Sequence, residues 1–488
     1  MNSDSTTTNR WLVLVIACLA QFMVVLDNTI VNVALPSVQR GLDFSPANLQ
    51  WVINAYTLIF GGFLLLGGRA ADLLGRRRLF VAGVALFAAA SLLNGLAQSS
   101  TMLILGRGLQ GLGGALVSPA ALSIVMTTFQ DNAERTRALG VWSAIAAGGA
   151  AFGLLLGGIL TDLISWRWNF FVNVPVGIAT VMLALRYVPE SRADLGHRRF
   201  DAVGATTVTA GLLAIVFGIV KAQAWGWGSD KTIGALGIGA LLLVAFVVLE
   251  SRSAAPLVKL SIFRIRSIAT ANTAMMLVSS ALFGMFFFVS LYAQDVLHYT
   301  PLKAGFAFLP LSLGIVIGAG ISQAIIPRFG VRNVSVLGLT IATAGILWIA
   351  RIPVHGSYLP DMLASFVPMS IGMGLVFVPL TLLATSGVKN DDAGLASGLF
   401  NSAQQVGGSL GLAILATLSV DHTTGLLKHG SNAATAAGRV AATVSGYHLA
   451  FLAAAIMMAA GAVLLVIWLR KRHLEGIEFD PSAIAAPA

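Results

Sequence analysis

Residues 11–35 read WLVLVIACLAQFMVVLDNTIVNVAL, an apolar run from Trp11 to Leu35 with one acidic residue, Asp27, near its middle. The run is long enough to cross the ~30 Å hydrocarbon core of a bilayer as a helix. An ionised carboxylate at that depth is unfavourable by several kcal/mol, and such residues mostly serve an ion or a substrate. Asp27 is therefore the first candidate for a functional residue.

The composition of the whole chain indicates a membrane protein. Of the 488 residues, 57% are hydrophobic and only 10% are charged, and the mean hydropathy is +0.85. A soluble chain of this length needs more charge to cover its surface. The apolar residues fall in blocks of about 20, whereas a β-barrel shows alternating segments of ~10 residues. We therefore expect a polytopic all-α membrane protein.

The apolar blocks predict about fourteen transmembrane helices. They lie at residues 11–35, 48–68, 79–97, 101–128, 138–160, 168–188, 203–220, 232–249, 267–293, 304–325, 334–351, 361–384, 395–419 and 447–469. An even number of spans puts both termini on the same side of the bilayer. The Thr-, Ala- and Gly-rich stretch 421–446 is expected to be a long outer loop.

The positions of the basic residues predict the orientation. With Arg10 inside, the inner segments carry 21 of the 30 Lys and Arg residues and the outer segments carry 8. This excess predicts that both termini are cytoplasmic, in a multi-pass protein of the cell inner (plasma) membrane. The net charge of +10 thus reflects short loops beside the lipid bilayer, and we expect no nucleic-acid partner.

A faint internal repeat predicts two similar halves. Ser45-Pro46-Ala47 after the first span is echoed by Thr300-Pro301-Leu302 after the ninth. Transporters often consist of two such halves with the substrate site between them. We expect an N-terminal six-helix bundle at 1–200, two inserted helices at 201–262, a C-terminal six-helix bundle at 263–472 and a cytoplasmic tail at 473–488.

The loop after the second span, GRAADLLGRRR at residues 68–78, combines features suited to a gate. Gly68 and Gly75 permit a tight turn and a close approach between helices. Asp72 can pair with a nearby arginine or favour a helix N-terminus. Arg76 and Arg77 can anchor the loop at the anionic inner leaflet. A plain cytoplasmic loop would explain the arginines but not Asp72 or the glycines.

This loop resembles the signature loop of the major facilitator superfamily. Three further stretches resemble the fourteen-span drug:proton antiporter branch of that family: LDNTIVNVALP at 26–36, LGRGLQGLGGA at 105–115 and WRWNFFVNVP at 166–175. The resemblance covers essentially the whole chain. It implies the major facilitator fold, with two six-helix bundles plus two extra helices, and multidrug efflux. It also implies that Arg107 has a part in proton coupling.

The fifth span departs from the antiporter pattern. Residues 153–158 read GLLLGG, and Leu154 stands where the family usually has proline. Gly153, Gly157 and Gly158 still allow close packing against a partner helix, and we expect them to contribute to gating. The bend that a proline imposes is not guaranteed here.

Asp27 and Arg107 are the candidates for proton coupling. Burial raises the pKa of a carboxyl group in general, and a nearby cation lowers it. A group held between these effects can carry one proton per cycle. We expect Asp27 to take a proton from outside and release it inward. Arg107 would adjust the pKa of Asp27 or stabilise its empty, charged state. The alternative is a structural ion pair that only fixes two helices.

Polar and aromatic residues that could face a central cavity are candidates for substrate contacts. Aromatic faces attract hydrophobic cations, although each of these residues also suits a packing role. The set is Asn32, Gln50, Asn54, Tyr56, Trp142, Phe286, Phe287, Gln294, Gln404 and Gln405.

The sequence favours a proton-coupled antiporter, not an enzyme, that acts as a monomer and exports hydrophobic, often cationic, drugs or toxic compounds. An exporter of a specific natural product, lipid or small organic acid is the alternative. No Gly-x-x-x-x-Gly-Lys-Ser/Thr stretch for ATP binding occurs, and we expect no metal or cofactor. A passive channel would need a repeated filter or a charge ring, and a receptor would more often carry a signalling domain.

Overall fold

Capping residues in the sequence set many of the helix boundaries. The computed structural model describes residues 9–192, 201–253, 256–387, 393–429 and 435–469. Side-chain oxygens of Asn9, Ser99 and Ser229 each accept a hydrogen bond from a backbone N–H two or three residues further on. Such caps satisfy N–H groups that a helix start leaves free. Gly75, at φ +115°, ends one helix and begins the next, in a conformation that favours glycine.

The helices follow one another with short connections. The first group comprises α1 (Arg10–Gly41), α2 (Pro46–Leu49), α3 (Trp51–Leu74), α4 (Arg76–Gly95), α5 (Ser100–Thr128), α6 (Asn132–Leu163), α7 (Trp168–Phe171) and α8 (Asn173–Tyr187). The next two are α9 (Ala202–Trp225) and α10 (Asp230–Arg252). The last group comprises α11 (Arg266–Leu291), α12 (Pro301–Phe329), α13 (Val331–Ile349), α14 (Ala364–Thr385), α15 (Ala393–His429) and α16 (Ala436–Trp468).

The predicted polytopic all-α fold is confirmed. Each of the fourteen predicted segments overlaps a long helix or a pair of adjoining helices. In the described part of the chain, 13 helices are long and apolar enough to cross a membrane, and α6 contains a shorter apolar stretch, Gly148–Leu163.

The prediction of a long outer loop over residues 421–446 is wrong. Helix α15 continues to His429, and α16 already begins at Ala436, where the Thr435 side chain accepts a hydrogen bond from Gly438 N at 3.0 Å. Only 430–434 lie outside the described residues in this stretch. Alanine is the strongest helix former, so an alanine-rich segment continues a helix although its hydropathy is too low to predict a span.

The helices pack in groups that bring distant parts of the chain together. Helices α3, α4 and α5 pack against one another, α1 packs on α6, and α11 packs on α15 and α16. The pair α9 and α10 contacts α3 and α15 through α9. One hydrophobic cluster joins α1 to α11 and α12, and it includes Ile30, Phe288 and Phe308. On α10, Leu241 and Val244 are exposed and form part of a surface suited to lipid.

Close approach of α4 and α5 depends on glycine at residue 113. A Cβ atom at Gly113 would lie 2.8 Å from Phe87 N and 2.9 Å from Phe87 Cα, both backbone atoms of α4. Such atoms cannot move aside without shifting a helix. Gly237 on α10 has no described atom within 4 Å of the same position.

We predict that Gly113→Ala destabilises the protein, because the added methyl group forces α4 and α5 apart. Overpacking of this kind lowers the free energy of unfolding by about 1–3 kcal/mol. Gly237→Ala is the matched control and should leave stability unchanged or slightly higher. Thermal unfolding in detergent, followed by tryptophan fluorescence, measures both. Equal melting temperatures for the two variants would contradict the proposed packing.

Candidate functional site

The first candidate site centres on a buried ion pair between α1 and α5. Asp27 lies in the middle of α1 and is 0% exposed, and Arg107 on α5 is 1% exposed. Arg107 Nη1 donates to Asp27 Oδ2 at 2.5 Å. The two groups selected from the sequence as the candidates for proton coupling are therefore direct partners.

Neutral amides complete the surroundings of the Asp27 carboxylate. Gln110 Nε2 donates to Asp27 Oδ1 at 2.6 Å, and Asn173 Nδ2 donates to the same oxygen at 3.1 Å. Gln110 also binds the cation, because its Oε1 accepts from Arg107 Nη1 at 2.7 Å. One carboxamide thus contacts both members of the ion pair. Hydrogen bonds to a charged group favour its charged form, so these amides compensate in part for the loss of water.

The arginine is held independently of the carboxylate. Arg107 Nε donates to the Val52 carbonyl oxygen of α3 at 2.9 Å. Its guanidinium lies 4.4 Å from the centre of the Tyr56 ring and 5.8 Å from that of Phe170. Cation–π contacts of this kind are stronger where water is excluded. Arg107 therefore has partners on α3 in addition to Asp27.

A second layer of polar side chains orients the amides. Gln110 Nε2 donates to Ser91 Oγ at 2.6 Å, and Asn173 Nδ2 lies 3.2 Å from the same oxygen. Asn94 Nδ2 donates to Gln110 Oε1 at 2.8 Å. Ser91 and Asn94 are both fully buried on α4. The network therefore joins α1, α4, α5 and α8.

The sequence interpretation missed these four supporting residues. Gln110 stands three positions after Arg107, on the same side of α5, and Asn173 lies within the quoted stretch 166–175. The spacing from Arg107 could have identified Gln110, and its place in the stretch that resembles the antiporter branch could have identified Asn173. Ser91 and Asn94 share a helical face at a spacing of three, but nothing in the local sequence connects α4 to Asp27.

The predicted substrate residues fall into separate groups. Tyr56 lies under Arg107, and Asn54 Nδ2 is 3.4 Å from Oε1 of Gln50, the residue that precedes α3. Gln404 and Gln405 are partly buried on α15, where Gln405 packs near Gly61 of α3.

The remaining predicted contacts lie in packed regions. Asn32 Nδ2 donates to the Asn28 carbonyl of its own helix at 3.1 Å, and Gln294 Nε2 donates to the α1 carbonyl of Val33 at 2.8 Å. Aromatic members pack on other apolar groups. Phe286 lies 5.7 Å from Phe308 and Phe287 lies 5.3 Å from Phe288, ring centre to ring centre, while Trp142 packs on the core of the first helices.

Residues 68–78, expected to form a loop, are helical except at Gly75, where α3 ends and α4 begins, and they carry a network of charges. Asp72 Oδ1 accepts from Arg76 Nη2 at 2.8 Å and from Arg76 Nε at 3.0 Å. Glu190, which the sequence interpretation did not select, accepts the backbone N–H groups of Arg77 and Arg78 at 3.2 Å each. A carboxylate at a helix N-terminus is favourable. Gly68, within α3, lies beside Pro119 of α5, so the turn from α3 to α4 is fixed to α5 and to the end of α8.

The glycines of α6 allow close approach to two helices. A Cβ atom at Gly157 would lie 2.7 Å from the Ile30 carbonyl oxygen of α1, and Gly153 packs on Leu26 and Thr29 of the same helix. Gly158 faces the other way, since its Cβ would lie 2.7 Å from the Pro301 carbonyl oxygen of α12. Among the side chains described, no group of three His, Cys, Asp or Glu residues is placed to hold a metal ion.

Comparisons with known proteins identify the family. The sequence profile of the Major Facilitator Superfamily matches residues 17–412. The chain is 41% identical to the puromycin resistance protein pur8 of Streptomyces alboniger over 98% of this chain and 95% of the relative. It is 40% identical to the cephamycin export protein CmcT of Amycolatopsis lactamdurans over 94% of this chain and 93% of that relative.

Solved structures show the same fold. A bacterial homologue of the human lysosomal transporter Spinster, crystallised in an inward-facing and unoccupied conformation, matches with a TM-score of 0.66 at 16% identity. That match covers 98% of this chain and 100% of the other. The family predicted from the sequence is confirmed: this multi-span membrane protein belongs to the Major Facilitator Superfamily of transporters.

Proposed function

We propose that the protein exports drug-like, hydrophobic and often cationic compounds in exchange for protons, by alternating access. The observation that carries this proposal is the fully buried Asp27 carboxylate, bound to Arg107, Gln110 and Asn173. The names of the relatives support the substrate class, since one confers resistance to puromycin and another exports cephamycin.

Proton binding at Asp27 would change the charge of the site. In the ion pair the carboxylate and the guanidinium sum to zero, and protonation leaves an uncompensated guanidinium charge. A buried, unpaired charge is unfavourable. The change therefore drives a rearrangement of α1 relative to α5. Gln110 suits this step, because rotation of its carboxamide presents Oε1 as an acceptor to a protonated Asp27.

The surrounding fold supports movement of two bodies. We propose that residues 1–200 and 263–472 form the two bundles, with 201–262 as an inserted helix pair, and that both termini face the cytoplasm of a plasma-membrane protein. The monomer is sufficient for this scheme. The α3–α4 turn, with Gly68, Asp72, Gly75, Arg76 and Arg77, and the glycines of α6 would act as gates. The pH gradient drives a one-for-one exchange of a proton and a monovalent cation, and the membrane potential adds ~2.3 kcal/mol per 100 mV for each net charge that moves inward.

Substrate would bind between the bundles. Helices α3 and α15 face each other there, and Thr57 and Ser409 form a hydrogen bond across the contact. Gln50 just before α3, Asn54 on α3 and Gln405 on α15 are proposed to bind substrate when the helices separate. The other candidate residues would contribute further contacts. A dedicated exporter of one natural product is the second candidate function, which the name of the cephamycin exporter favours.

We predict that Asp27→Asn abolishes proton-coupled transport while the protein still folds. Asparagine keeps the shape and one acceptor oxygen but cannot exchange a proton. Proteoliposomes with an imposed pH gradient, with ethidium as the probe cation, should show at least a tenfold loss of uptake into the acidic lumen. Asp162→Asn, at an exposed residue near the end of α6, is the control. Wild-type coupling in Asp27→Asn would refute the proposal.

A double variant separates coupling from structural support. Removing one partner of a buried ion pair destabilises a protein by about 3–5 kcal/mol, because the other charge remains unpaired. We predict that Asp27→Asn combined with Arg107→Gln unfolds at a higher temperature than Asp27→Asn alone, yet remains uncoupled from the pH gradient. If the double variant regains proton-driven uptake, the pair has only a structural role.

A further inference from the structure

Pro36 removes one backbone hydrogen bond from α1 where this helix packs on α11. In a regular helix the N–H of residue 36 would bond to the carbonyl of residue 32, four positions earlier, but proline has no N–H. The carbonyl group of Asn32 therefore needs a donor from outside α1. A buried carbonyl without a partner is unfavourable by an amount similar to a lost hydrogen bond.

Helix α11 supplies this donor. Ser290 Oγ donates to the Asn32 carbonyl oxygen at 2.6 Å. Gln294, one turn further along α11 and its terminal π-helical turn, donates from Nε2 to the Val33 carbonyl oxygen at 2.8 Å and lies 3.3 Å from Ser290 Oγ. Ser290 is 0% exposed and Gln294 is 5% exposed, so water does not compete for these bonds.

The contact lies at the side of the molecule where α1 ends at Gly41, which we call the Gly41 side. Arg40 and Asp295, more exposed, form an ion pair at 3.5 Å on the same side. Helices α6 and α12 also meet there, since a Cβ atom at Gly305 would lie 2.7 Å from the Leu154 carbonyl oxygen. Both contacts join the first group of helices to the last, and both must separate if this side opens.

We infer that Ser290 and Gln294 form a latch that holds the Gly41 side closed by binding the α1 carbonyl groups beside the gap in the helix left by Pro36. The inference rests on the proposed alternating access, since only a protein that opens needs a latch. Ser290 satisfies a carbonyl that α1 cannot satisfy itself, so its contribution depends on the proline. Gln294 fixes the serine and extends the contact by one residue.

Distances between spin labels test the latch. Gln98, in the loop between α4 and α5, and His355, after α13, are both exposed on the Gly41 side in different groups of helices. Both would be changed to cysteine and labelled in a Cys18→Ala background, since Cys18 is the single native cysteine. Double electron–electron resonance spectroscopy in lipid nanodiscs, without substrate or a pH gradient, then measures the distance between the two labels. It gives the ratio of the population with separated labels to the population with close labels.

We expect Ser290→Ala to raise this ratio about fivefold, the effect of losing one hydrogen bond. Ser280→Ala is the matched control, because Ser280 on the same helix donates to the Gly407 carbonyl oxygen at 2.7 Å within the last group of helices. It should change the ratio less than twofold, by the same principle.

The proline supplies the decisive comparison. Pro36→Ala gives α1 an N–H for the Asn32 carbonyl, so Ser290→Ala in that background should change the ratio by less than about twofold. Equal effects of Ser290→Ala in both backgrounds, or an effect no larger than that of Ser280→Ala, would overturn the inference. Because the measurement needs no transport, loss of proton coupling in another variant would not affect its result.

Discussion

A charged pair buried within the bundle constrains the packing of α1, α3, α4, α5 and α8. Asp27 and Arg107 are stable there only because each has further partners, and those partners come from different helices. Gln110 contacts both charges, and Asn173 adds a donor from α8. Since removing a partner from a buried pair is strongly unfavourable, any change at Asp27 is transmitted to the packing of α1, α4, α5 and α8. In the proposed mechanism, this is how one proton moves a bundle.

Several helices contact one another through backbone atoms at positions without side chains, and such contacts allow the helices to shift when the packing around Asp27 changes. Gly157 brings α6 against α1, and Gly158 brings it against α12, so α6 touches both groups of helices through positions without side chains. Pro36 has a similar effect on α1, because it leaves a carbonyl for Ser290. Leu154 replaces the proline that the antiporter pattern usually has in α6, and its carbonyl packs on Gly305.

The sequence predicted those residues of the site whose chemistry is unusual for the segment in which they lie. Asp27 and Arg107 stand out as charges in apolar runs, and the structure places them in direct contact. Gln110 was missed because a neutral amide in a helix has many roles, and Ser91 because only the fold brings α4 to it. The helical spans were predictable from hydropathy. The ends of α15 and α16 were not, since hydropathy does not show how far a helix continues beyond its most apolar part.

Infrared difference spectroscopy of the Asp27 carboxyl group measures most directly whether this side chain gains and loses a proton. We expect the carbonyl stretch of a protonated carboxylic acid to appear on acidification, to disappear when a cationic substrate such as ethidium binds, and to be absent from Asp27→Asn. A band that never appears, or that persists under every condition, would show that Asp27 keeps one charge state throughout. The proton would then have to be carried elsewhere.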